Sequence, residues 1–369
     1  MKLEGVTVVD LSVFLPGPYL TMAMADHGAE VIKVEPPGEG DPGRHIGLAD
    51  GPTSVFFKNA NRGKKSVVLD LKSESGRAAL YRLCDTADVF VESYRPGVMQ
   101  RLGFDWETLS ARNPRLVYCS VSAFGQDGPY RDVPAHDIAT MALAGALSLT
   151  HGRDGIPAMP GLATADLISS LHALSGVVMA LYRRQATGRG DRIDVSMQHA
   201  ALAGLPNVMG PAMAGRPQPD PKHERTTGGS AFYQIYDTAD GRHLVLGGQE
   251  LKFVRNLLGR LERLDLVPLC ERGPGAHQAP VIEFLAGVFR QHSLEHWMRW
   301  FQGMDVSAAP VNTLREALDD PNIRAQGLIL TDEAGREHIA PVVRFTLEPA
   351  RPSLREPALD EHHAIVDQS

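Results

Sequence analysis

The chain has 369 residues, 43% of them hydrophobic and 22% charged, ordinary globular usage that excludes a disordered, collagen-like or coiled-coil chain. Its 37 basic and 44 acidic residues give a net charge of −7, so no global basic field exists to hold nucleic acid, and none is expected as a partner. At roughly 150 residues per domain, the length suggests two domains, or one large and one small.

The N-terminus MKLEGVTVVDLS lacks the apolar run of a signal peptide, and three cysteines (Cys84, Cys119, Cys270) form no CxxC and cannot pair completely. A soluble, cytoplasmic protein is the expectation. VTVVDLS (6–12) reads as a strand, followed by a loop with Pro16, Gly17 and Pro18 and a helix ending at Gly28. Strands follow at VIKVE (31–35), SVVLDL (66–71), DVFVES (88–93) and RLVYCSVS (115–122), with the helix ESGRAALYRLCDTA between the second and third of these. Apolar strands separated by helices predict a parallel sheet covered on both faces, a Rossmann-like α/β layout.

From His136 the pattern changes. AHDIATMALAGALSL reads as a helix with Asp137 near its N-terminus. A longer helix is expected from Asp166. Its most apolar stretch, Leu167 to Tyr182, carries Ser169, Ser170, His172 and Ser175 and reads as a buried helix rather than a membrane span. GRGDRIDVSM is a turn into a strand. FYQIYDTADGRHLVLGG is a β-hairpin with an Asp240-Gly241 turn, and EFLAGVFRQHSLEHWMRWFQG is an amphipathic helix. These readings divide the chain into a large Rossmann-like domain (1–199), a linker (200–227) and a small α+β domain (228–329). Residues 330–369 return to the large domain, with PVVRFTLEP (341–349) as a strand.

Familiar motifs fail. Gly38-Glu39-Gly40-Asp41-Pro42-Gly43 matches GxGxxG, but Pro42 sits where a helix should begin bonding and two acidic residues would face a pyrophosphate. It reads as a surface loop. There is no GxxxxGK[ST], HExxH or GxSxG and no cysteine ligand cluster, and His362-His363 reads as a solvated tail rather than a metal site.

Three features remain. Lys33, Arg62, Lys64, Lys65, Lys72 and Arg101 end or flank predicted strands. Each alone is as readily a solvated rim residue, but together they could bind a phosphorylated cofactor such as coenzyme A. His136 and Asp166 each open a predicted apolar helix. Alone, Asp166 is a plain N-cap and His136 a histidine packed at a helix end; converging on one pocket, they would suit general acid–base work. Glu250 follows Gly247-Gly248 after the hairpin, where a first-turn glutamate is also simply stabilised by the helix dipole.

The segments VVDLSVFLPGPYLTMAMADHGAEVIKVEPPGEGD, VVLDLKSESGR, VESYRPGVMQRLGF, AFGQDGPY, ADLISS, GRGDRIDVSMQHA and FYQIYDTADGRHLVLGG, in this order over nearly the whole chain, resemble the class III coenzyme A transferases, a superfamily that includes the α-methylacyl-CoA racemases. The resemblance implies an interlocked homodimer. Coenzyme A would lie on the large domain, with each active site formed between that domain and the small domain of the other chain. It implies an acyl-CoA thioester as substrate, coenzyme A as part of that substrate, no prosthetic group and no metal. By position it makes Lys72 and Arg101 coenzyme A contacts, with Lys33 and Arg95 as further candidates. Asp166 matches the carboxylate that is a nucleophile in the transferases and an acid–base group in the racemases.

The His136-Asp137 pair, the step of 30 residues from His136 to Asp166, GGQELKF around Glu250 and Tyr233 in GGSAFY resemble the racemase branch. There the glutamate supports the catalytic histidine, and the tyrosine lies in the substrate pocket. Leu162 and Leu251 depart from that branch, which tends to have asparagine and proline there. The resemblance thus leans to a racemase that inverts C2 of a 2-methylacyl-CoA by 1,1-proton transfer through an enolate. The alternative is a transferase that moves coenzyme A to a free carboxylic acid through a thioester on Asp166, with Gly228-Gly229 lining space for the acceptor.

Overall fold

The computed structural model describes residues 1–217 and 220–368. They divide into two compact units: residues 1–146, 160–205 and 322–369 form unit one, and residues 147–159 and 206–321 form unit two.

Unit one is built on a six-stranded sheet of β1 (Thr7–Asp10), β2 (Glu30–Glu35), β3 (Lys65–Val68), β4 (Val89–Glu92), β5 (Val117–Ser122) and β6 (Arg192–Ser196). The spatial order is β3-β2-β1-β4-β5-β6, and every neighbouring pair is parallel. This is the doubly wound order, in which the sequence of strand addition reverses between β1 and β4. Layers lie on both faces. On one, Val9, Ile32, Val34, Val67 and Phe90 meet Leu80 and Leu83 of α2 (Glu74–Thr86). On the other, Val8, Val31, Val89, Val91 and Val117 meet Leu20 and Met24 of α1 (Pro16–Asp26) and Ala173, Val177 and Leu181 of a long helix. Such fully buried side chains contribute roughly 1.5–3 kcal/mol each.

Further elements are α3 (Val98–Leu102), α4 (Asp137–Leu143), the long α5 (Thr164–Thr187) and α6 (Met197–Ala203). The helix expected over 135–149 is short because Gly145 takes φ +79° and breaks it. By length and composition α5 could cross a membrane. It is not a wholly buried helix. Ala165, Ser169, Ala173, Val177 and Leu181 face the sheet, while Leu171, Val178, Met179 and Tyr182 form an exposed apolar stripe. The turn after α5 requires a glycine, because a Cβ on Gly190 would stand 1.8 Å from the Leu116 carbonyl oxygen.

The C-terminal segment differs from expectation. PVVRFTLEP forms no strand; the ribbon there is β10 (Ile329–Thr331) paired antiparallel with β11 (Glu337–Ile339). Of the His362-His363 pair, His363 is exposed as expected, but His362 is half-buried. The edge strand β3 donates its Ser66 N–H to His362 Nδ1 (3.2 Å) and its Val68 N–H to Asp360 Oδ1 (2.7 Å), and His363 Nδ1 lies 2.9 Å from the same carboxylate oxygen. Side chains thus cover an edge that would otherwise expose unpaired donors.

Unit two holds a three-stranded antiparallel sheet ordered β9-β8-β7, from β7 (Tyr233–Asp237), β8 (His243–Gly247) and β9 (Ala308–Pro310). Its core gathers Phe232, Tyr236, Leu244 and Leu246 with Leu257 of α7 (Leu251–Arg260), Leu285 and Phe289 of α8 (Ala279–Phe289) and Trp297 of α9 (Leu294–Trp300). The expected single helix over 283–303 is two, because Ser293 caps a new start by accepting the His296 N–H. The β7–β8 loop runs from Thr238 to Arg242, longer than a two-residue turn, and Asp240 is drawn off to accept the Leu294 N–H (3.2 Å).

Candidate active site

The C-terminal ends of β1 and β4 flank the topological switch point, where open parallel sheets place their ligands. A cavity of about 450 Å³ opens there, lined by Phe14, Arg95, Arg131, His136, Asp166 and Met197 among others. His136 and Asp166, separated by 30 positions in sequence, therefore face the same space.

Asp166 is not the N-cap of its helix. α5 begins two residues earlier, and its formal cap, Ala163, offers no side-chain bond. The cap comes from Asp137, in the first turn of α4, whose Oδ1 accepts the Asp166 N–H at 3.1 Å. The Asp166 carboxyl is thereby released from capping, and none of its oxygens has a hydrogen-bond partner among the described residues. Its backbone is held firmly: the Ser169 and Ser170 hydroxyls donate to the Asp166 carbonyl (2.9 and 2.8 Å), and Ser170 also donates to the Pro16 carbonyl (2.6 Å). Burial first, and the neighbouring Asp137 charge second, push the Asp166 carboxyl up to about 7. The field at the helix N-terminus favours the anion but does not offset its desolvation.

His136 is the N-cap residue of α4, yet its side chain makes no capping bond. The imidazole is exposed and meets the Phe14 ring edge-on, with centroids 5.9 Å apart. An imidazole and a carboxyl raised to about 7, facing one cavity, can give and take protons.

Arg95 and Arg131 are shared with an adjoining polar cavity of about 390 Å³, which also takes in Arg192, Trp106 and the buried Glu92. Burial raises the Glu92 carboxyl to about 7, against hydrogen bonds from Ser120 and from the Tyr94 N–H (2.8 Å) that lower it. Arg131 escaped the sequence reading, although AFGQDGPY ends one residue before it. Lys72 and Arg101 are exposed and line neither cavity.

Lys33 requires correction as a coenzyme A contact. It is fully buried, its ammonium 2.7 Å from Asp41 and donating to the Ser12 carbonyl at 2.8 Å. Lys64 is likewise buried against Asp10 (3.0 Å), and Arg62 against Asp26 (2.6 Å). These three are internal counterions, not part of a basic rim. The 38–43 segment is a surface loop at Gly38, Glu39 and Pro42, but Gly40, Asp41 and Gly43 are buried. Asp41 and Arg44 turn inward, and Arg44 pairs with Glu35 at 2.6 Å.

In unit two, Tyr233 is 42% exposed at the start of β7 and lines a cavity of about 740 Å³ with His151, Lys222, Thr226 and Gln234. Glu250 is exposed at the N-cap of α7, its side chain free of any capping bond. Gly228 borders that cavity, whereas Gly229 is pressed on backbone: a Cβ there would stand 2.2 Å from the His223 carbonyl. Among the described residues no group of three His, Cys, Asp or Glu side chains could hold a metal ion.

The profile of the family described as CoA-transferase family III matches residues 3–363. The chain is 32% identical to the succinate–glutarate CoA-transferase of Agrobacterium fabrum (strain C58), over 99% of this chain and 94% of that enzyme. It is 36% identical to the alpha-methylacyl-CoA racemase of Mus musculus, over 99% of this chain and 92% of that one. Among solved structures, a CAIB/BAIF family protein from Brucella suis superposes with a TM-score of 0.86 at 29% identity, covering 99% of this chain and 98% of the other.

Proposed function

The chain belongs to CoA-transferase family III, and from that premise we propose that it is an α-methylacyl-CoA racemase. The observation that carries this reading is the shared cavity: His136 and Asp166 both face it, and the Asp166 carboxyl is unpaired and raised to about 7. The α-proton of a thioester is a weak acid. Its removal calls for a base on one face and an acid on the other. His136 would act on one face of C2 and Asp166 on the other, so that removal of the proton by one and delivery of a proton by the other inverts the centre. The enolate oxygen would be stabilised by backbone N–H groups at a helix start.

Arg95 and Arg131, at the junction of the two cavities, are proposed to hold the phosphorylated part of coenzyme A, with Lys72 and Arg101 as outer contacts. The working enzyme is proposed to be a homodimer, in which a second copy supplies Glu250 to support His136 and Tyr233 to contact the acyl chain. The exposed stripe Leu171, Val178, Met179 and Tyr182 supports association.

A transferase reading has one observation in its favour, the comparable identity to transferases and racemases. An unpaired Asp166 could also attack a thioester. Incubating a single (2R)-2-methylacyl-CoA enantiomer with the enzyme, with and without a free acid, separates the two. The proposal expects the (2S) ester to appear without acid and in the presence of hydroxylamine. Transfer only when acid is added, with hydroxylamine trapping Asp166, would replace it.

A further inference from the structure

We infer that Phe14 is a positioning residue, held in a strained backbone conformation so that its ring fixes the plane of the His136 imidazole; the inference rests on the proton-transfer role proposed for His136. Among the described residues, only Phe14 (φ +65°), Glu262 and Asp360 combine a side chain with positive φ. Glu262 lies just past the end of α7, where the left-handed conformation is common, and Asp360 is a residue type that tolerates it. Phe14 has neither excuse. A bulky residue persists there only when its surroundings over-determine it.

They do so at each step of the loop. The Leu11 N–H donates to the Val91 carbonyl (2.8 Å), and the Val13 N–H to Ser93 Oγ (3.0 Å). The Phe14 N–H reaches Asp41 Oδ1 at 3.5 Å, while Lys33 grips both Asp41 and the Ser12 carbonyl. Gly17 lets the loop close on itself, since a Cβ there would stand 2.2 Å from Ser12 Cβ. The buried Lys33–Asp41 pair, on β2 and in the loop after it, thus fastens the loop whose reversed backbone aims Phe14 into the cavity.

There the ring meets His136 at an interplanar angle of 87°. The chemical advantage of this contact is specific. A hydrogen bond would orient the imidazole by occupying a ring nitrogen; an edge-to-face aromatic contact orients it and leaves both nitrogens free.

The test compares Phe14→Leu, Phe14→Gly and Phe14→Tyr in the intact enzyme. The readouts are kcat and KM for a 2-methylacyl-CoA and the ring-current-shifted Cε1–H resonance of His136, assigned with His136→Ala. Loss of the ring should lower kcat about tenfold in both the Leu and Gly variants, with KM within about twofold, and should move the resonance. Phe14→Gly loses activity even though it relieves the backbone, and Phe14→Tyr restores most of kcat. An unmoved resonance, or wild-type kcat in the Leu and Gly variants, overturns the inference. If the Gly variant does not fold, the Leu variant decides alone. If the wild-type enzyme exchanges no C2 proton, the racemase reading falls, and the resonance by itself decides whether Phe14 orients the ring.

Discussion

Asp10 and Asp166 are the same residue type in the same unit, and the fold drives them in opposite directions. Asp10 ends β1, wholly buried, and accepts from Ser12 Oγ (2.5 Å), Thr21 Oγ1 (2.6 Å) and Lys64 Nζ (3.0 Å). Its burial would raise the carboxyl, but the charges of Lys64 and Lys33 hold it at about 2. Asp166 is less buried and has no such partner, so desolvation wins and the carboxyl rises to about 7. Pairing separates them more than depth does: a carboxylate with counterions and donors is structural, and one deprived of both is left able to exchange its proton.

The largest effect should come from the unpaired member. Asp166→Asn is expected to lower the rate of C2 inversion by about 10⁴, the upper range for a lost acid–base group, read from the loss of optical purity of a single enantiomer. Asp10→Asn should instead strike stability. It leaves Lys64 and Lys33 without their shared counterion and is expected to cost about 3–5 kcal/mol in urea unfolding. The two sites also predict opposite pH dependences. Because the folded pKa of Asp10 lies below its ordinary 3.8, its contribution is present above about pH 4 and lost as pH falls toward 2. Asp166 has a folded pKa above its ordinary value, so it costs stability increasingly as pH rises from about 4 to 7. Asp166→Asn should therefore gain up to about 4 kcal/mol over wild type at pH 8 and nothing at pH 4, the shift spanning about three pKa units at about 1.4 kcal/mol each; melting curves at the two pH values check the sign.

Smaller effects sharpen the same contrast. Arg131→Ala should raise KM for a CoA ester about tenfold, the loss of a charge-assisted contact. Asp137→Asn keeps an oxygen to cap α5 but removes the charge beside Asp166. The Asp166 carboxyl should then titrate about half a unit lower, by ¹³C NMR of labelled aspartate, and still above its ordinary range because burial is the larger cause.

Much of unit one was legible in the sequence. Each of the five apolar runs between residues 6 and 122 produced a strand, because a sheet covered on both faces needs little more than apolar, β-branched residues in short stretches. Lys33 and Lys64 were not legible as interior charges. Their partner Asp10 lies 54 positions from Lys64, and only the packed sheet brings the three together. Asp166 was legible as a residue at a helix start but not as an uncapped one, since its cap function is taken over by Asp137 from another helix. The strain at Phe14 leaves no trace in composition or periodicity: it is imposed by hydrogen bonds from the Val13 and Phe14 N–H groups to Ser93, just past β4, and to Asp41 in the loop after β2.

In the proposed reaction Asp166 and His136 remove and return a proton at C2. The most direct measurement is proton NMR of the purified enzyme with one enantiomer of a 2-methylacyl-CoA in deuterium oxide, with no free acid added. Proton exchange at C2 should erase the C2 proton signal together with optical purity. A C2 proton that persists while a new CoA ester forms only on addition of a carboxylic acid would contradict it.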